Sequence, residues 1–180
     1  MFSSESAKIG CAWRIERMES DYFIFNTEKM ELREFLELAK RDAYLGEESV
    51  CEKYGTMEDG FKERMFNAGD HTYRDRRYGA DIFCGEEIVF EKGKPVWTMN
   101  YYGELLDPDV PAEALCEFLG LALLEGNERF PNRGPKLFSE ERFIYGNHLS
   151  GKLENFMGEE FILFDGRKVY CLRYHGGELR

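Results

Sequence analysis

The sequence predicts an α+β fold, with an antiparallel sheet and helices packed against it, assembled from internally duplicated helix–hairpin units into one pseudo-twofold domain. Three observations predict it. Two segments carry apolar residues at helical spacing, two β-rich segments are each split by an X-Gly pair, and both kinds of segment recur in the same order.

Residues 1–30 read as an N-terminal extension in which DYFIF (21–25) adds a short strand. The first helix follows. Leu32, Phe35, Leu36, Ala39 and Ala43 fall on an i, i+3, i+4, i+7 stripe, and Glu34, Glu37, Lys40 and Arg41 lie outside it. Thr27 or a neighbour caps its start and Gly46 suits its end. The segment Tyr73–Phe83 supplies a strand ahead of the first hairpin, which runs from Phe83 to Glu104 and turns at Lys92-Gly93.

The second helix begins after Asp109 and Pro111 and ends at Gly126-Asn127. Leu115, Cys116, Phe118, Leu119, Leu121, Leu123 and Leu124 make it apolar on most sides. Such a helix is sandwiched between other elements or forms a subunit contact, which here would make a homodimer. RFIYGNHL (142–149) is the next strand, and the second hairpin, Phe156 to Gly177, turns at Asp165-Gly166.

The hairpins align without a gap at an offset of 156 − 83 = 73. Gly85/Gly158, Glu86/Glu159, Glu87/Glu160, Gly93/Gly166, Val96/Val169, Tyr101/Tyr174 and Gly103/Gly176 are identical pairs. EFLELA (34–39) and EFLGLA (117–122) echo each other at 117 − 34 = 83. Residues 31–180 therefore read as a single domain of two repeats, 31–103 and 112–177, with no Pro/Gly/Ser linker between them.

Two-residue turns at both X-Gly pairs would place Trp97 opposite Ile88 and Met99 opposite Glu86. That register puts Trp97, Met99 and Tyr101 on the core face with Ile88 and Phe90, and Tyr170, Leu172 and Tyr174 with Phe161 and Leu163. Glu86 and Glu159 then also face the core, where an unpaired carboxylate is costly. Brought together by the pseudo-twofold, they would form an acid/base or metal-binding pair; kept apart, each would take an Arg, a Tyr hydroxyl or backbone amides as partner. The opposite face carries Thr98, Asn100 and Tyr102 in one hairpin and Cys171, Arg173 and His175 in the other. This divergence marks Asn100, Tyr102, Arg173 and His175 as candidate ligand contacts, with Trp97 beside them.

Arg133, in NRGP (132–135), is a fixed charge after a turn-rich run. It suits a carboxylate or phosphate clamp, or a structural glutamate. Asp70, His71, Tyr73 and Asp75 cluster at a strand entrance, where turn chemistry explains them. The three histidines lack metal-ligand spacing, so no metal is expected. The nucleotide-binding loops, nucleophile elbow and zinc-protease signatures are absent, and no cofactor is indicated.

Composition narrows the class. The 180 residues are 43% hydrophobic and 15% aromatic, enough for a packed core, and the net charge of −11 opposes direct nucleic-acid binding. Five scattered cysteines without C-x-x-C read as reduced, mostly buried thiols of a cytoplasmic protein, and no apolar run is long enough for a membrane helix.

The arrangement of Tyr73, Asp75 and Gly79, then F-x-G-E-E-x-V (Phe83 to Val89) and K-P-V-W-x-M-N-Y-Y-G (Lys94 to Gly103), resembles a bacterial family known only as a domain of unknown function. R-G-P (Arg133 to Pro135), the second F-x-G-E-E (Phe156 to Glu160) and Y-H-G-G (Tyr174 to Gly177) extend the resemblance across 32–177. Family members occur alone or behind a helix-turn-helix domain in regulator-like proteins. The resemblance thus implies a ligand-sensing or interaction module without catalysis, binding a small molecule, and carries no catalytic residues. The alternative is a small enzyme using the paired glutamates between the two halves.

Overall fold

The computed structural model describes residues 30–44, 55–56, 60–127 and 130–180. The short strand expected at 21–25, the Thr27 cap and the Gly46 helix end lie outside them.

The elements run α1 (Leu32–Tyr44), β1 (Gly55–Thr56), β2 (Phe61–Ala68), β3 (His71–Gly79), β4 (Ile82–Glu91), β5 (Lys94–Leu105), α2 (Ala112–Glu125), β6 (Leu137–Glu140), β7 (Phe143–Lys152), β8 (Asn155–Phe164) and β9 (Arg167–Glu178). This is an α+β fold with one antiparallel sheet. Among the described residues its nine strands lie in the order β1-β2-β3-β4-β5-β9-β8-β7-β6. Each run of four strands, β2–β5 and β6–β9, is a meander, and the two meanders join through their last strands.

Both helices cover the same face. α1 packs on β2 and β3, α2 packs on β6 and β7, and the helices touch each other. The predicted stripe of α1 is the buried one, with Phe35, Leu36, Ala39 and Ala43 inside, joined by Lys40. α2 buries Leu115, Phe118, Ala122 and Leu123 and leaves Leu121 exposed. It ends at Gly126, whose φ of 76° lies in the left-handed region that glycine adopts without a Cβ penalty.

Each helix is separated from the hairpin that follows it by further strands. Between helix and hairpin the chain inserts β2 and β3 in the first half and β6 and β7 in the second. β2 (FKERMFNA) escapes a sequence reading because it lies toward the sheet edge and buries little beyond Phe61.

Both predicted turns form. Lys92 and Gly93 have φ of 51° and 77°, and Asp165 and Gly166 have φ of 49° and 78°, the double positive φ of a type I′ turn. The expected register nevertheless fails at the third pair from each turn. Glu91 pairs with Lys94 and Phe90 with Pro95, but Val89 then pairs with Trp97, so Val96 is an extra residue in a bulge. The second hairpin does the same: Leu163 pairs with Lys168, Ile162 with Tyr170, and Val169 is left over.

A one-residue slip exchanges the two faces of a strand. The core face of β4 is therefore Phe83, Gly85, Glu87 and Val89, in place of the Ile88 and Phe90 expected. On β8 it is Phe156, Gly158, Glu160 and Ile162, in place of Phe161 and Leu163. Trp97, Met99 and Tyr101 face the core as predicted, and so do Tyr170, Leu172 and Tyr174.

The cysteines differ from expectation. Cys84 is free and exposed because it shares the outer face of β4, Cys171 is free and half-buried on the outer face of β9, and Cys116 on α2 is disulfide-bonded. No helix among the described residues is long and apolar enough to cross a membrane.

Candidate functional site

The bulges turn polar side chains into the space between sheet and helices. Period-two alternation puts Tyr73, Asp75 and Arg77 of β3 on the inner face. Asp75 and Glu87 are direct cross-strand partners there, 4% and 5% exposed. β7 and β8 place Tyr145, Asn147 and Glu160 in corresponding positions, and Glu160 is fully buried.

Repeated glycines make room for repeated tyrosines. A Cβ on Gly85 would lie 2.3 Å from the Tyr101 hydroxyl and from the Arg76 carbonyl, and one on Gly158 would lie 2.3 Å from the Tyr174 hydroxyl. Each tyrosine lies across the neighbouring strand's glycine and reaches a β3 or β7 side chain. Tyr101 Oη donates to Asp75 Oδ1 at 2.8 Å, and Tyr174 Oη donates to Asn147 Oδ1 at 2.7 Å. Gly85→Ala is accordingly expected to cost about 1–3 kcal/mol through overpacking against ring and backbone together. Thermal denaturation beside Tyr101→Ala/Gly85→Ala checks it, since removing the ring should recover part of the loss.

The loop after α2 ties the halves together. Asn132 Nδ2 donates to Glu87 Oε2, Arg133 donates from Nε and Nη2 to Glu160, and the Gly134 carbonyl accepts from Asn147 Nδ2 at 3.0 Å. Tyr145 and Tyr170 also donate to Glu160, at 2.7 and 2.9 Å. Glu160 thus has a bidentate arginine and two hydroxyls, a saturated buried ion pair. Burial disfavours the Arg133 charge, but Glu160 together with Tyr170, Tyr145 and Tyr44 outweighs it and holds the guanidinium protonated; burial and then Glu160 push the Tyr145 and Tyr170 hydroxyls well above their ordinary range.

Glu87 is held differently. Its hydrogen-bond partners, Asn132 and Tyr73, are both neutral. Burial, and then the Asp75 carboxylate beside it, push its carboxyl up from 4.5 to about 7, against the pull of Arg133, Asn132 and Tyr73.

Glu87 opens on a cavity of ≈ 120 Å³. Its floor is Asp75, Glu87, Phe83, Tyr101 and Tyr170 of the sheet; Leu115, Leu119 and Leu123 of α2 cover it, with Tyr44 of α1 alongside. Arg77 also lines it, its guanidinium 3.9 Å from the Phe83 ring centroid, and its buried Nε has no hydrogen-bond partner.

The candidates read from the sequence divide into three groups. Arg133 stands in the buried site, paired with Glu160. Trp97 is a core residue, fully buried, donating from Nε1 to the Leu153 carbonyl at 3.1 Å and stacked on Phe156. Asn100, Tyr102, Glu159, Arg173 and His175 meet on the uncovered outer face of the sheet, with His148 and Met157, around a groove of ≈ 580 Å³.

Glu86 and Glu159 are partly exposed and lie near Arg74 and Arg173, at 3.9 and 4.0 Å. They do not face the core, and the bulges are the reason. Nor are they a pair: β5 and β9 intervene, three strand spacings or roughly 14 Å. Asp75 is mid-strand and core-facing, not a turn residue. Sequence reasoning missed Glu87, Glu160, Tyr145 and Asn147 as site residues. The signal was available in Tyr73-x-Asp75 and Tyr145-x-Asn147, a third echo at 145 − 73 = 72. Among the described residues no group of three or more His, Cys, Asp or Glu side chains converges on a metal position.

Residues 75–179 match the model of a family described as a domain of unknown function (DUF5680). No curated protein and no solved structure matches the chain.

Proposed function

Because the chain belongs to this family of domains of unknown function, whose description assigns no activity, we propose its role from the buried site: a ligand-sensing module that takes a small molecule between the sheet and α2. One observation carries the reading. A buried carboxylate, Glu87, with only neutral hydrogen-bond partners opens on a cavity walled by leucines and aromatic rings. An apolar enclosure with a few convergent polar groups is the usual form of a small-molecule site.

The reading includes duplication about a pseudo-twofold axis. It is supported by the pairing of Tyr101 with its own counterpart Tyr174 at the join of the meanders. Equivalent residues then make the equivalent tyrosine bonds to Asp75 and Asn147. On this account the halves have diverged: Arg133 neutralises Glu160 as a structural element, while Glu87 is kept for a ligand.

Filling the cavity tests the reading. A thermal-shift screen of one-ring and short-chain compounds should find stabilisers of the wild type that no longer act on Leu119→Trp, a variant whose own melting temperature stays within a few degrees. No stabiliser in the wild type, or equal stabilisation of the filled variant, would count against it.

A second reading, a small enzyme, is favoured by the same carboxyl, since an acid poised near pH 7 suits general acid–base work. The carboxylates concerned are Glu87 and Asp75 within one half. Incubating each stabiliser with the protein and following it by NMR separates binding from conversion.

A further inference from the structure

We propose that the cavity selects a small amine, a protonated ammonium group on an apolar body about the size of one ring, with the ammonium set against Glu87. The inference rests on the ligand-binding reading above and names the class of ligand.

Size comes first. The cavity of ≈ 120 Å³ is of the order of engineered cavities, about 150 Å³, that hold a benzene molecule. Its walls match such a body, because Phe83, Leu115, Leu119, Leu123 and Leu172 present hydrocarbon to it.

Charge decides the polar group. Asp75 and Glu87 line the cavity with Arg77 and Arg133, two carboxylates to two guanidiniums, and Arg64 of β2 stands behind them on the Tyr73 ring, so the choice rests on which carboxylate lacks a charged hydrogen-bond partner. Arg133 is committed to Glu160 by a bidentate contact, and Arg77 rests on the Phe83 ring. Glu87 remains as the carboxylate whose hydrogen-bond partners, Asn132 and Tyr73, are both neutral. A buried carboxylate of that kind is costly in the empty protein. An ammonium donating to Glu87 would give it the charged hydrogen-bond partner that Arg133 gives Glu160.

Groups of β3, β5 and the loop after α2 face Glu87. Asp75 and Tyr73 of β3 flank it, Met99 of β5 lies opposite it, and Asn132 and Arg133 reach it from the loop. The Tyr44 hydroxyl of α1 feels Glu87, Asp75, Arg64 of β2 and Arg133 together.

The test uses three probes of one size, benzylammonium, benzyl alcohol and benzoate, titrated calorimetrically into the full chain. At pH 8, where Glu87 is ionised and a primary amine is protonated, benzylammonium should bind at least about tenfold more tightly than benzyl alcohol, and benzoate should be weakest. The preference should shrink at pH 5.5, where Glu87 holds its proton, and should vanish in Glu87→Gln while benzyl alcohol still binds. If benzyl alcohol or benzoate binds as well as the amine, the amine class is overturned and the cavity reading stands. If no probe binds, and Leu119→Trp also leaves every screened stabiliser unaffected, the cavity reading falls with it. An unchanged amine preference in Glu87→Gln places the cation elsewhere and overturns the assignment.

Discussion

Arg133→Met is expected to lower folding stability by about 3–5 kcal/mol, a large share of the 5–15 kcal/mol typical of a domain. The substitution keeps the volume of the stem and removes the guanidinium. Glu160, fully buried, is then left with two tyrosine hydroxyls and no compensating charge. Glu160→Gln should be destabilising on the same scale, because it strands the Arg133 guanidinium, 5% exposed, in a desolvated place. The double variant Arg133→Met/Glu160→Gln removes both charges and keeps an oxygen for Tyr145 and Tyr170. It should lose much less than the sum of the singles. Urea denaturation, with the m-value held constant across the set, measures all three. Single variants within about 1 kcal/mol of wild type would mean that the pair is solvated.

Glu87→Gln should behave in the opposite sense, and in a pH-dependent way. The folded carboxyl titrates near 7, above its ordinary 4.5. In that interval the native state holds a proton that the unfolded chain has released, so stability falls as pH rises. The group contributes fully below about pH 4.5, its contribution is lost on the way up through about pH 7, and the profile is flat beyond. Glutamine cannot ionise, and its amide can donate to the neighbouring Asp75 while its oxygen accepts from Asn132 and Tyr73. The variant should therefore lack the decline and exceed wild type at pH 8 by up to ~3 kcal/mol. Denaturation of both proteins at pH 5, 6, 7 and 8 provides the comparison. Parallel profiles would show that Glu87 is ionised throughout.

The two glutamates thus have contrasting fates although their local sequences, FCGEEIVF and FMGEEFIL, are nearly the same. What separates them is supplied from elsewhere in the chain. Arg133 comes from the loop after α2, and Asp75 and Asn147 come from strands preceding each hairpin. The difference between Asp75 and Asn147 is visible in the sequence, but its meaning depends on which carboxylate each side chain meets.

Local rules explain what was legible. The α1 stripe, the wide apolar surface of α2, the Gly126 stop and the type I′ turns at Lys92-Gly93 and Asp165-Gly166 depend on contacts within a few residues, and all appear where expected. The repeated glycines were legible as a pattern, although their reason, a tyrosine lying across the neighbouring strand, needed the sheet. Strands β2 and β6 were not legible, because exposed strands toward the sheet edge carry charged residues without a clean alternation.

The amino-acid sequence by itself determined the fold class, the two helices, both hairpin turns and the fact that a Glu-Glu pair recurs at the centre of each hairpin. Only the tertiary structure decided which glutamate of each pair is buried. Turn type sets where a hairpin begins, but one extra residue, Val96 or Val169, displaces every side chain beyond it to the other face of its partner strand. That displacement leaves Trp97, Met99 and Tyr101 on the core face, with Trp97 stacked on Phe156 of the opposite meander. It moves Glu86 and Glu159 outward and carries Glu87 and Glu160 into the core, where one meets an arginine and the other a cavity.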